Sequence, residues 1–320
     1  MATKPFASSA DLAPKQTVVE EIADGVLVRT AEGDPNVAAI EADDFVVCFE
    51  ALATPVAAAR WVEELRHHTD KPVRYLVLSH YHAVRVLGAQ AFDAMAVVTH
   101  EATSSLIDER GKEDWDSELA RMPRLFENPE SVPGLTHPTI TFSDRMIIDL
   151  GAARGQLVLA HLGRGHTEGD AVAWLPQHRT VLTGDLVETR AALYTGDAYL
   201  DDWQSGTLDR VAELDARLLV GGRGEVARGS SEVRDAVEQS RGFLRVLTGE
   251  VAAVHSRGGQ LKDAFDAAYQ ALYPAYGEWP IFEHTLPFDV ARYWDELDGI
   301  ERPRIWTAAR DREVWDALQD

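Results

Sequence analysis

One short segment constrains this chain more than any other, because a predicted buried strand leads directly into two histidines. The strand is indicated by the apolar, β-branched run from Val73 to Leu78. His80 and His82 follow it, spaced so that both imidazoles can turn toward one point. Since open α/β sheets place their chemistry at the carboxyl ends of their strands, a site is expected at this edge. The segment therefore predicts part of a metal centre.

Two further polar turns follow apolar segments downstream. His166 lies in a Gly-His-Thr turn, and Asp185 ends a Leu-Thr-Gly-Asp turn. Histidine is the commonest zinc ligand, and catalytic zinc takes three protein ligands and keeps one position open. A single histidine is more often a hydrogen-bonded core residue, but three at strand ends favour a metal. We predict His80, His82 and His166 as ligands, with Asp185 as a further ligand or as the group that orients a bound water.

The hydrophobic pattern along the chain predicts two similar halves. Short apolar or alternating runs come first, a helix and the strand before the histidines follow, and a second set of strands ends in another helix. This order favours a layered α/β sandwich. We expect residues 1–16 to form a flexible arm without a signal-peptide pattern, residues 17–230 the sandwich and residues 231–320 a helical C-terminal extension. Residues 101–133 are charged and are predicted to be irregular after a helix over Glu101 to Arg110.

The composition excludes several classes of partner. The formal net charge is -22 and no basic patch is visible, so neither nucleic acid nor an anionic membrane is an expected partner. Cys48 is the only cysteine, which leaves no disulfide and no thiolate cluster, and we expect it to be buried and inert. No run approaches the ~18 apolar residues that span a bilayer. A cytoplasmic protein with a small-molecule substrate is the expectation.

The order of these motifs resembles the metallo-β-lactamase superfamily. It runs His-x-His, Gly-His-Thr-x-Gly-Asp, Thr-Gly-Asp and Gly-x-Gly, and it extends from about Val18 to Gly229. The resemblance implies a four-layer αβ/βα sandwich and a metal-dependent hydrolase. In members of that family the matching histidines and aspartate hold the first metal ion. Carried over residue by residue, these ligands are His80, His82, His166 and Asp185.

The residues of the family's second metal site are absent. The longer family motif, His-x-His-x-Asp-His, has Val84 and Arg85 here in its last two positions, and Arg223 stands where the family has its last histidine. Valine has no ligand atom and arginine stays protonated, so we predict one metal ion, zinc, with iron as the alternative. Arg85 and Arg223 either clamp an oxyanion of the substrate or pair with nearby acidic residues such as Asp185.

Three functions compete at this point. The first is a mononuclear hydrolase in which a metal-activated water attacks an ester, lactone, thioester or amide of a small, anionic substrate. The second is an Fe(II) oxygenase like the sulfur dioxygenases of the superfamily, and the third is a non-catalytic metal-binding relative.

Other side chains have expected supporting roles. Tyr81 is expected to donate to a substrate oxyanion, His284 to shuttle protons, and Leu193 to Trp203 to form a pocket wall. The C-terminal helices are expected to act as a lid, as a homodimer contact, or as both.

Overall fold

The computed structural model describes residues 4–319, and residues 1–3 and 320 lie outside it. The first three residues of the predicted N-terminal arm are therefore not described. Within the rest of that arm, Phe6 is buried and its ring packs edge-on against Trp315, with 5.3 Å between the centroids. The division of the chain at residues 16 and 230 stays a prediction.

Within residues 4–319, seven strands form the first sheet, and they lie side by side in chain order. The first four make an antiparallel meander, as the alternating runs predicted, and the last four pair in parallel. Parallel pairing brings the carboxyl ends of these strands to one edge, next to the His-x-His motif. The strands are β1 (Thr17–Ala23), β2 (Val26–Ala31), β3 (Val37–Glu41), β4 (Val46–Phe49), β5 (Val73–Val77), β6 (Ala96–His100) and β7 (Ile140–Phe142).

Six strands form the second sheet, in the order β13-β12-β11-β10-β9-β8. Within residues 4–319, β11 and β12 pair in parallel and the other neighbours are antiparallel. The strands are β8 (Arg145–Gly151), β9 (Gly155–Ala160), β10 (Val172–Leu175), β11 (Thr180–Gly184), β12 (Leu218–Gly221) and β13 (Ala227–Arg228).

Helices pack around the two sheets and against one another. They are α1 (Pro55–Arg66), α2 (Ala83–Val86), α3 (Glu101–Arg121), α4 (Leu200–Asp202), α5 (Leu208–Glu213), α6 (Gly229–Ser256), α7 (Leu261–Tyr276), α8 (Phe282–Leu297) and α9 (Ala308–Gln319). A π-helical turn, Trp203–Thr207, joins α4 to α5. In residues 4–319, none of these helices combines the length and the apolar character needed to cross a membrane.

The two sheets pack face to face. Val47 and Val77 of the first sheet share a buried cluster with Leu159 and Leu182 of the second. The outer face of the first sheet packs on α1 through Trp61, and the outer face of the second packs on α6 to α8. The layers are therefore helix, sheet, sheet, helix, which confirms the predicted αβ/βα sandwich with further helices at its C-terminal end. Cys48 is buried within it, as expected.

Helix α3 is twice as long as predicted, so the expectation of an irregular segment after Arg110 is wrong for residues 111–121. Arg110, Asp114, Glu118 and Arg121 are all buried on this helix. Sequence patterns detect helices by the spacing of apolar residues. Because charged residues occupy much of the buried face of α3, that signal is weak over its second half.

The structure also differs from the sequence pattern at a shorter element. The pattern from Gly88 to Ala96 predicts a helix, but the structure has a 3₁₀ turn there, Ala89–Phe92, which ends at Asp93 in the left-handed conformation with φ 47°. A β carbon on Gly88 would lie 2.1 Å from the carbonyl oxygen of Ala51, so this segment crosses close to another backbone.

Candidate metal centre

Three histidines meet where β5 and the loop after β9 approach each other. His80 and His82 follow β5, and His166 comes from the loop between β9 and β10. One ring nitrogen from each lies within 4.8 Å of the other two. The Nδ1 atom of His82 is 3.0 Å from Nε2 of His166, and the buried Nε2 of His80 has no hydrogen-bond partner among residues 4–319. The three inner nitrogens therefore face one point, as the sequence predicted.

The opposite nitrogen of each ring is bonded to another part of the chain. These contacts are Ser79 Oγ to His80 Nδ1 at 2.8 Å, Asp197 Oδ2 to His82 Nε2 at 3.2 Å, and the Tyr194 carbonyl oxygen to His166 Nδ1 at 2.8 Å. Outer bonds of this kind fix the orientation and the tautomer of metal-binding histidines. The arrangement leaves the other nitrogen of each ring facing the centre of the cluster, where a cation could replace the contact between His82 and His166.

Asp185 lies beside the cluster, at the end of β11. Its Oδ2 atom is 3.9 Å from Nε2 of His80 and 3.7 Å from Nε2 of His166. Oδ1 accepts a hydrogen bond from Arg85, and Oδ2 accepts one from Nη1 of Arg223 at 2.8 Å. Both arginines thus pair with Asp185, which was one of the two roles expected for them. Metal ligation by Asp185 and substrate binding by the arginines stay predictions.

Comparison with known proteins identifies the family. The model of the metallo-beta-lactamase superfamily matches residues 32–223, more than half of the chain. The chain belongs to this superfamily. Two curated relatives, both named metallo-beta-lactamase type 2, come from Bacillus sp. (strain 170) and Bacillus cereus. Each is 25% identical, over 171 and 173 residues, and each match covers 52% of this chain. The chain spans 57% of the length of these relatives.

Solved structures of metallo-beta-lactamases share the fold. The enzyme from Pontibacter korlensis is 20% identical with a TM-score of 0.55, and the match covers 71% of this chain and 99% of that one. The enzyme from Hirschia baltica is 17% identical with a TM-score of 0.54, covering 71% and 98%. FIM-1 from Pseudomonas aeruginosa, in a mono-zinc form, is 17% identical with a TM-score of 0.53, covering 71% and 96%.

The pair of arginines is buried in this member of the metallo-beta-lactamase superfamily. Arg85 is 0% exposed and Arg223 is 4% exposed. A second hydrogen bond runs from Nη1 of Arg85 to the carbonyl oxygen of Gly222 at 2.8 Å, and Nη1 of Arg223 lies 3.3 Å from Oε1 of Glu188. Burial disfavours an ionised Asp185, but Arg85 and Arg223 outweigh it and hold its pKa well below the usual range. The two arginines therefore favour the ionised form of Asp185, which is a hydrogen-bond acceptor.

The three histidines differ in protonation when no metal is bound. Burial lowers the pKa of His166 to about 3 and takes the pKa of His80 well below its usual range. Burial also disfavours a charged His82, but the carboxylates of Asp114 and Asp197 outweigh it and raise the pKa of His82 to about 9. A charged His82 donates to Asp197 from Nε2 and to His166 from Nδ1. The Nδ1 proton thus points where a cation would bind.

Tyr81 and His284, the other two predicted site residues, face different surroundings. Tyr81 is buried and its hydroxyl bonds to Asp197, beside Arg110. His284, on α8, lines a small cavity together with His82. The structure thus brings His284 to the histidine cluster and turns the Tyr81 hydroxyl toward Asp197. Their expected roles in catalysis and substrate binding stay predictions.

Several residues that shape the site were not identified from the sequence. Asp114 and Glu118 of α3 accept hydrogen bonds from the backbone N–H groups of Ala83 and Val84, at 2.6 and 3.0 Å, and so hold the turn that follows His82. These carboxylates are four residues apart, which puts them on one face of a helix. The helical spacing of these two charged residues was the sequence feature that could have identified them. Asp197 lies within the predicted pocket wall.

Proposed function

We propose that this member of the metallo-beta-lactamase superfamily is a hydrolase with one zinc ion, held by His80, His82 and His166. The proposed substrate is an ester, lactone, thioester or amide of a small anionic molecule. The observation that supports the proposal is the paired arrangement of the ring nitrogens: three face one point, and the other three are bonded to the chain. Three imidazoles and an open position are the donor set of catalytic zinc.

A zinc ion in such a set polarises a carbonyl group and lowers the pKa of a bound water toward ~7. The chain's own residues would position the reactants. Asp185, ionised and within 4 Å of two ring nitrogens, offers an acceptor that can orient a water molecule. Because two arginines share its charge, Asp185 is a poor base, and its proposed contribution is orientation.

The arginines support a single-metal site. Their guanidinium groups bring two positive charges to Asp185. The resemblance described above implies that these two positions hold ligands of a second cation in other family members. A second divalent cation beside the two arginines would be repelled and would compete for the same carboxylate. A mono-zinc form is known for FIM-1, so a single-zinc state exists within this fold.

The contacts of Asp185 and of the three histidines favour a zinc hydrolase over an Fe(II) oxygenase. An iron site of the histidine and carboxylate type needs a carboxylate oxygen as ligand. In the part of the chain that the structure describes, the group of side chains that could hold a metal ion contains three histidines and no carboxylate. Both oxygens of Asp185 already accept from arginine.

Reconstitution tests the proposal. Metal-free protein loaded with zinc should hydrolyse members of a panel of small anionic esters, lactones and thioesters, and chelation should abolish the activity. His166→Ala should remove both the zinc and the activity, whereas His255→Ala, at a partly exposed ion pair with Asp298, should keep both. Zinc content unchanged in His166→Ala would overturn the site. Oxygen uptake by the iron-loaded protein, without hydrolysis by the zinc form, would overturn the reaction.

A further inference from the structure

A small cavity lies between α3, α8 and the histidine cluster. Its lining includes His82, Arg121, Asp185, Arg223 and His284. The cavity volume is about 10 Å³, which is room for one water-sized group. Two of these residues, Arg121 on α3 and His284 on α8, come from outside the predicted metal-binding motifs. Their side chains add hydrogen-bonding groups that are not among the proposed metal ligands.

The cavity lining carries several buried polar atoms without a hydrogen-bond partner within residues 4–319. They are Nε and Nη1 of Arg121, Nε of Arg223, and Nδ1 and Nε2 of His284. Arg121 does have a counter-ion, since its Nε atom lies 3.5 Å from Oδ2 of Asp311, but no hydrogen bond is formed there. A buried donor without a partner destabilises the protein, and more so when it is charged. Unpartnered polar atoms of this kind mark a place for a water, an ion or a polar group of a ligand.

The carboxylates that line the cavity already have partners. Both oxygens of Asp185 accept from arginines, and Oε2 of Glu118 accepts from the backbone N–H of Val84 at 3.0 Å. They therefore do not satisfy Arg121 or His284. Among the unpartnered atoms of the lining, the N–H donors of Arg121 and Arg223 outnumber the one acceptor nitrogen of a neutral His284, so the cavity is suited to an acceptor ligand rather than to a cation.

Arg121 is held in place by aromatic rings. Its guanidinium carbon lies 4.5 Å from the centroid of Phe288 and 5.4 Å from that of Tyr194. Cation–π contacts of this kind orient the flat group without using its N–H donors. His284 approaches from the same side as Phe288, one helical turn away, with 5.9 Å between the ring centroids. Both donors are therefore fixed before any ligand arrives.

We propose that this cavity binds one oxygen of a substrate carboxylate, with Arg121 and His284 as donors alongside Arg223. The inference rests on the proposed hydrolase function and narrows its substrate to a molecule with a carboxylate close to the scissile group. A charged donor and a carboxylate form a strong hydrogen bond in a buried site. His284 acts as a neutral donor, because burial and the nearby arginines keep its pKa well below the usual range.

Formate, the smallest carboxylate, is the probe. Its binding is measured by isothermal titration calorimetry in chloride-free buffer, with both the metal-free and the zinc-loaded protein. Arg121→Gln and His284→Gln should each weaken binding at least about tenfold, the loss expected for one charged or buried hydrogen bond. The matched controls, Arg124→Gln and His255→Gln, alter ion pairs with Asp34 and Asp298 away from the cavity and should bind as the wild type does.

Each outcome decides the proposal. Saturable binding by both protein forms, with the expected sensitivity, supports it, even if the zinc form proves to have no hydrolase activity. Binding that requires zinc and ignores both substitutions would put formate on the metal ion and overturn the cavity site, while leaving the hydrolase proposal intact. Absence of binding would overturn it as well. If Arg121→Gln fails to fold by circular dichroism, His284→Gln decides.

Discussion

At the scale of single residues, His82 is the histidine whose environment sets the chemistry of metal binding. The Asp197 carboxylate accepts a hydrogen bond from Nε2 of His82, and Nδ1 of His82 faces His166. The position of His82 was predictable from its spacing to His80. Its partner was not, because Asp197 lies 115 residues further along the chain and only the fold brings the two together. The same holds for Arg85 and Arg223. The sequence identified both positions, but it did not show whether these side chains pair with Asp185 or bind a substrate.

Zinc binding should release a proton from His82. At about pH 6 this side chain is charged in the metal-free protein, since its pKa is about 9, while His80 and His166 are neutral. Zinc needs a neutral ring, and zinc-bound water, with a pKa near 7, keeps its protons at this pH. About one proton should therefore leave per zinc. Calorimetry in two buffers of different ionisation enthalpy measures it, and release of none would contradict the account.

His82 also determines the direction in which protein stability and zinc affinity change with pH. The pKa of His82 is raised on folding, so its contribution to the stability of the metal-free protein is full below about pH 6.5 and is lost as the pH rises to about 9. Zinc affinity changes in the opposite direction. It should increase about tenfold per pH unit below pH 9 as far as His82 alone is concerned.

At the scale of secondary-structure elements, the turn after β12 carries Arg223 into the site. Gly222 fits there because no side chain is tolerated: a β carbon would lie 2.0 Å from Oδ1 of Asp185 and 2.7 Å from Nη2 of Arg85. Gly222→Ala should displace this ion pair and lower the free energy of unfolding by roughly 1–3 kcal/mol or more. Urea unfolding measures the change.

A glycine on an exposed helix face provides the control. Gly249 lies on α6, with open space around a β carbon. Gly249→Ala should therefore stabilise the protein by about 0.5–1 kcal/mol, because alanine loses less backbone entropy in a helix. If Gly222→Ala were as stable as the wild type, the tight contact between Gly222 and Asp185 would be refuted.

Helix α3 shows why the hydrophobic pattern did not predict every element at its full length. Its buried face includes Arg110, Asp114 and Arg121, so the apolar spacing that defines α1 or α6 is weak here. A helix usually buries apolar residues against the core. This helix instead supplies charged groups to the site, and its polar face is interpretable only once the position of the site is known.

At the scale of the whole molecule, the C-terminal helices share a core with the second sheet. Val181 and Leu219 of that sheet belong to the same buried cluster as Leu247 and Val251 of α6. The layered fold was predictable because strands and amphipathic helices have visible periods. The sharing of one core across residue 230 was not, since periodicity does not identify the partner of an apolar face.

A shared core predicts one unfolding transition. Leu247→Ala should cost about 2–5 kcal/mol and should lower the protection of β12 amides and α6 amides from hydrogen exchange by the same factor. Exchange followed by NMR or mass spectrometry measures both. If only α6 lost protection, the C-terminal helices would be an independently folding unit.

We expect this chain to hold one metal ion with three histidines, and Arg85 and Arg223 to occupy the position of a second metal ion. Elemental analysis of zinc-saturated protein counts the ions. We expect one zinc per wild-type chain, close to none in His82→Ala or His166→Ala, and the beginning of a second zinc in the triple variant Val84→Asp, Arg85→His, Arg223→His. Two zinc ions in the wild type, or one retained without His82 or His166, would contradict the account.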